Sequence, residues 1–175
     1  EIDIPDSVTS IEEGAFYGCT GLTHIKMPDR LISIEEAVCQ DCSSLSYVDI
    51  PDSVTKIGYG AFAGCTSSTD VDIPDNVTSI GDGAFYRCKK ISSVVIPDGL
   101  TDIKADTFQD CRKLHSVKIP DSVTRIERAA FAGCISLVKI KVPDQATEIQ
   151  AYAFKDCVNL TSIDIPDGDK DLGLG

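Results

Sequence analysis

Residues 4–26 read "IPDSVTSIEEGAFYGCTGLTHIK", and almost every apolar place in that stretch returns 23 residues later. Pro5 is followed at that step by Pro28, Pro51, Pro74, Pro97, Pro120, Pro143 and Pro166, and an Asp follows each proline. Cys19 is followed by Cys42, Cys65, Cys88, Cys111, Cys134 and Cys157. A fixed period of this length marks units that cannot bury their apolar residues alone and must stack on their neighbours. Residues 1–175 are therefore read as a single solenoid, with seven full units over 4–164 and partial units at both ends.

Within the unit, "LTHIKM" at 22–27 alternates apolar and polar residues, as a half-buried strand does. Stacking in register makes these strands a parallel sheet with neighbours ~4.8 Å apart. Proline cannot donate to such a ladder, so each Ile-Pro or Val-Pro marks a strand's end. In "EEGAFYGC", Ala15 and Phe16 fall four and three residues before Cys19, which predicts a short helical turn with those three side chains on one face. The expected class is a mostly β repeat solenoid whose coils alternate a strand with a short helical turn.

Charge is uneven along the chain, whose formal net charge is −12. Residues 1–86 hold three Lys and Arg against fifteen Asp and Glu, whereas 87–175 hold thirteen of each. This balance argues against nucleic acid, whose phosphates need a basic surface. No apolar run approaches the ~18 residues that span a bilayer, so no membrane insertion is expected of this segment. The chain begins at Glu1 rather than Met and is read as a fragment or processed form.

The unit I-P-D-S-V-T-x-I-x-x-x-A-F-x-x-C-x-x-L-x-x-I-x resembles the BspA-like leucine-rich repeat, and the resemblance covers essentially the whole chain. It implies a curved right-handed solenoid with its strands on the concave side. It also implies a surface or secreted setting, with adhesion and the binding of host or matrix proteins. The family brings no catalytic motif and no cofactor.

Four features invite chemistry. Cys39 and Cys42 form a C-x-x-C pair, but Cys42 belongs to the cysteine column, and Cys39 stands where Phe16, Phe62, Phe85, Phe108, Phe131 and Phe154 stand. The pair is read as a core substitution partly compensated by Val38 and Ile32, since a metal would need further ligands. The cysteine column is expected to be buried free thiols acting as small hydrophobes. The column Asp6, Asp29, Asp52, Asp75, Asp98, Asp121, Asp144 and Asp167 could suggest calcium, but turn capping explains it without metal. Each carboxylate is expected to accept the N–H two residues on. His24 and His115 are four coils apart, about 19 Å at the strand spacing, too far for one metal or shared catalysis. Serines are plentiful, but no nucleophile, Walker or dinucleotide motif is present, and no catalytic residue is assigned. "NVT" at Asn76 and "NLT" at Asn159 are short glycosylation patterns.

Sequence variety sits at the outward strand places. Tyr47, Asp49, Asp70 and Asp72 make an acidic patch with one aromatic, and Lys118, Lys139 and Lys141 make a basic one. The expected function is non-enzymatic recognition of a protein partner by these residues, against the alternative of a solvated face with incidental charge. A second reading is structural. Apolar ends formed by Ile2, Ile4 and Phe16, and by Ile163, Ile165 and Leu172, would let molecules stack end to end or serve as a scaffold.

Overall fold

The computed structural model describes residues 1–164, which wind into a parallel β-solenoid of about seven coils. Partners across every ladder are 23 residues apart, as His24 is from Tyr47 and Ile34 is from Ile57. The partial unit after Asp164 and its Ile165, Asp167 and Leu172 lie outside the described residues.

The alternating stretch before each proline forms the first ladder. Ile2–Asp3 pairs with His24–Lys26 and this with Tyr47–Asp49; Ser93–Val95 pairs with Ser116–Lys118, and Lys139–Lys141 with Ser162–Asp164. The proline then opens a backbone turn, in which Val8 N–H donates to Pro5 O at 2.9 Å and Val54 N–H to Pro51 O at 3.0 Å.

A second ladder runs through two-residue strands that end on the unit's second isoleucine. Ser33–Ile34, Lys56–Ile57 and Ser79–Ile80 form one piece; Asp102–Ile103, Arg125–Ile126 and Glu148–Ile149 form another. Threonines just before it reinforce the stacking. Thr55, Thr78, Thr124 and Thr147 donate backbone N–H at 2.7–2.9 Å, and hydroxyl at 3.3 Å, to the carbonyl 23 residues earlier.

The segment expected to be helical is a run of β-turns, and no helix forms among the described residues. Ala15 and Cys19 N–H donate three residues back, to Glu12 O and Phe16 O, while the alternate residues Gly14, Phe16 and Gly18 donate to the next coil at 2.8–2.9 Å. Those residues are committed to neighbours and cannot make the i→i−4 bonds of a helix. Gly14 and Gly18 also hold φ of +63° and +67°, the left-handed value required at the third place of a type II turn. The inter-coil bonds make this side a third ladder.

Columns of identical side chains fill the interior. Phe62, Phe85, Phe108, Phe131 and Phe154 stack with ring centroids 5.6 Å apart and planes within 11°. Each neighbouring pair of rings adds about 0.5–1.5 kcal/mol beyond its burial. The cysteines do more than fill space. Cys42, Cys65, Cys88, Cys111, Cys134 and Cys157 each point Sγ at a carbonyl 26 residues earlier, at 3.0–3.3 Å, five times at a Phe and once at Cys39. A thiol here is a hydrophobe that also gives that carbonyl a weak second donor.

All eight cysteines are free. Cys19 is exposed, unlike the buried remainder of its column, because it belongs to the outermost coil. Burial pushes the Cys88 thiol up to about 12 and Cys157 to about 11, and it raises Cys65, Cys111 and Cys134 as well. Such thiols do not ionise near neutrality and are poor nucleophiles and metal ligands.

Candidate protein-binding face

Outward side chains of the first ladder form the candidate face. Tyr47, Asp49, Asp70, Asp72, Lys118, Lys139 and Lys141 are all exposed. The strand pleat explains this, because Val48, Val117 and Ile140 between them turn inward and pack on the core. Register sets Tyr47 beside His24, with rings stacked at 5.6 Å, and Asp49 beside Lys26. Lys118 lies beside Val95, and Lys139 and Lys141 lie beside Ser162 and Asp164.

Asp70 and Asp72 stand on different ground, since residues 70–72 form no strand. The cause is one residue that went unremarked in the repeat. Ser68 occupies the place of Leu22, Leu45, Ile91, Leu114, Leu137 and Leu160. It is buried, and its hydroxyl donates to the Asp70 carbonyl at 3.3 Å, giving this segment a local partner. The missing aliphatic volume leaves a gap of about 10 Å³ among Phe62, Cys65, Phe85 and Cys88, reaching the face past Val71. That is about the space one water needs. Asp70 and Asp72 flank a second hollow, of about 130 Å³, with Val71, Val94 and Val95. "CTSSTDVDIP" carried the signal, a serine where the column has aliphatics.

Other sequence candidates are resolved by their contacts. Cys39 is fully buried beside Cys42, whose thiol is the largest cause, ahead of burial, holding Cys39 far above the ordinary range. Val38 is buried as expected, but Ile32 is 58% exposed and fills none of the space a phenyl ring would take. The expected capping by the Asp column is also corrected. Val8 and Leu31 N–H, two residues after Asp6 and Asp29, go to the proline carbonyls, and Asp6 instead accepts Asp29 N–H of the next coil at 3.1 Å. Within the described residues no three His, Cys, Asp or Glu are grouped to hold a metal. His24 is bonded to Glu1 at 3.3 Å. Asn76 and Asn159 are exposed, and their amide nitrogens donate to Asp52 O and Ile135 O at 2.8 and 2.7 Å. At the first coil, Ile4 is buried while Ile2 and Phe16 are partly covered.

With the face described, comparison with known proteins becomes informative. The profile of the BspA type leucine rich repeat region, present in 6 copies, matches residues 1–115 and 101–174. The chain belongs to the BspA-type leucine-rich repeat family. A leucine-rich repeat protein from Bacteroides ovatus is similar at 36% identity and a TM-score of 0.88, over 91% of this chain and 41% of its own. T. pallidum leucine rich repeat protein is similar at 26% identity and a TM-score of 0.76, over 91% of this chain and 71% of its own. A Eubacterium ventriosum leucine-rich repeat protein shares the fold at 22% identity and a TM-score of 0.61, over 99% of this chain and 61% of its own. The chain thus spans less than half the length of the B. ovatus protein it matches. No curated protein matches. The residues above thus line the outward face of the first ladder in a BspA-type parallel β-solenoid.

Proposed function

We propose that this chain is a non-enzymatic protein-binding module, part of a surface or secreted adhesion-type protein, and that its concave face recognises the partner. The observation that carries this reading is the division of labour along each strand. Inward residues repeat as Ile and Val, whereas the outward ones run from Tyr47, Asp49, Asp70 and Asp72 to Lys118, Lys139 and Lys141. Solenoids of this kind use extended concave surfaces for binding. An acidic end and a basic end separated by the Ser93–Val95 strand suit a partner with the opposite order of charge. Family resemblance supplies the extracellular setting, with host or matrix proteins as the partner class and with no cofactor and no nucleic acid. Residues 1–175 are taken as one continuous solenoid.

The experiment is surface plasmon resonance against matrix and mucosal proteins, followed by charge reversal. Asp70→Lys with Asp72→Lys, and Lys139→Glu with Lys141→Glu, are each expected to weaken a partner found this way at least about tenfold. Unchanged binding by both variants would move the site off this face. End-to-end self-association is the second reading, favoured by the partly covered Ile2 and Phe16, and concentration-independent sedimentation as a monomer would exclude it.

A further inference from the structure

The turn side of the solenoid carries a pocket that the concave face does not use. It holds about 350 Å³ and spans four coils. Its floor exists because three successive places lack long side chains. Gly60 and Gly83 sit where Asp106 and Tyr152 stand in later coils, and Ala63 sits between Gln40 and Tyr86 in one column. The walls are Gln40, Tyr59, Asp82, Tyr86, Asp106 and Gln109. Tyr59 is 57% exposed, an aromatic ring left in solvent at the rim. Arg87 lies near Tyr86, its guanidinium carbon 5.4 Å from the ring centroid, but no Lys or Arg lines the pocket.

Each wall residue ends in a polar group. Among the described residues, the side chains of Gln40, Asp82, Asp106 and Gln109 make no hydrogen bond or ion pair of their own. Two carboxylates and no cation exclude an anionic ligand. The two amides and two phenols offer N–H and O–H donors as well as acceptors. A cationic ligand brings only donors, so it would meet the two carboxylates but leave the amide N–H and phenol O–H groups to water. A hydroxyl both gives and accepts, so a neutral polyol satisfies the whole wall. Its C–H faces would cover the tyrosine rings, whose amphipathic character suits a site apolar on one side and wet on the other. The volume lies within the roughly 300–1,000 Å³ of small-molecule sites.

We propose that this pocket is a saccharide-binding site, taking a neutral pyranose or a short oligosaccharide, independently of protein recognition on the concave face. The test is saturation-transfer NMR together with tyrosine fluorescence, using glucose, galactose, mannose, N-acetylglucosamine and their β-linked disaccharides. Saturable binding at about millimolar concentration is expected. Tyr59→Ala should weaken it at least about tenfold while leaving the melting temperature unchanged, since that ring is exposed. Ala63→Tyr places in the floor the residue the same column already carries at Tyr86, and should block binding. Asp70→Lys should leave it intact. No saturable binding of any of these sugars up to about 50 mM would overturn the proposal. So would sugar binding that ignores both pocket variants. Tighter, salt-sensitive binding of spermidine at the same residues would identify a cation site instead, which also overturns it.

Discussion

The half of the solenoid that ends near Phe85 and the half that follows are built from the same unit but keep it differently. From Phe62 to Phe154 the phenyl stack is unbroken, and the Cys and Leu/Ile columns have no exceptions beyond Ser68. Later coils are also tied across their surface: Lys104 Nζ reaches Glu127 at 2.8 Å, and Arg125 Nε reaches Asp102 at 2.6 Å. The later half keeps every strand of the first ladder and leaves only Ser116–Lys118 and Lys139–Lys141 unpaired with each other. In the earlier half, Cys39 interrupts the phenyl column, Ser68 interrupts the aliphatic column, and residues 70–72 form no strand. The surplus acidity lies in this half too. Exceptions to a repeat cost packing, and Ser68 lies beneath the acidic residues Asp70 and Asp72 of the outward face. The contrast teaches that the later coils hold the stack while the earlier ones present its least regular surface.

Breaking the regular half should have the largest effect. Phe108 is fully buried between two stacked rings, so Phe108→Ala should cost about 3–5 kcal/mol, read as a lower urea midpoint. Repairing the irregular half should act the other way. Ser68→Leu restores the aliphatic column and should add about 1–2 kcal/mol, with gain of strand character at 70–72 visible by NMR. Cys39→Phe should be tolerated or stabilising, by about 1 kcal/mol or more, as ring pairs form with Phe16 on one side and Phe62 on the other. A fall of several degrees would show that the coil has repacked around the thiol.

The smallest effect concerns the surface ties. Arg125 beside Asp102 holds that carboxyl below the ordinary carboxylate value. A depressed folded value means stability present above the unfolded value of about 4 and lost as pH falls through the folded one. Asp102→Asn should therefore lower stability at pH 7 by at most about 1 kcal/mol, since Arg125 is 45% exposed and water screens the pair, and should match the parent once the carboxyl is protonated in the folded protein as well.

Much of this was legible in the sequence because a 23-residue period transmits one coil's structure to all. Pro5 and its successors announced the strand ends, and the alternation in "LTHIKM" announced which side chains face outward. The helical turn was misread because spacing alone shows that Ala15, Phe16 and Cys19 share a face, not where their N–H groups go. Phe16 N–H, like those of Gly14 and Gly18 on either side, bonds to the next coil, which no single unit reveals. The thiol to carbonyl bonds and the Asp6 to Asp29 bond are likewise properties of stacked coils. Ile32 looked like a filler for the Cys39 space, but its column faces solvent. The turn-side pocket was hidden because it joins residues from four units at places where no motif repeats.

Amide hydrogen exchange resolved by segment tests most directly the claim that the regular columns hold the stack and their two exceptions loosen it. The amides of 69–73 should exchange at least about tenfold faster than the equivalent amides of 92–96 and 115–119, and Ser68→Leu should remove most of that difference. Equal protection of the three segments in the parent protein would contradict the account.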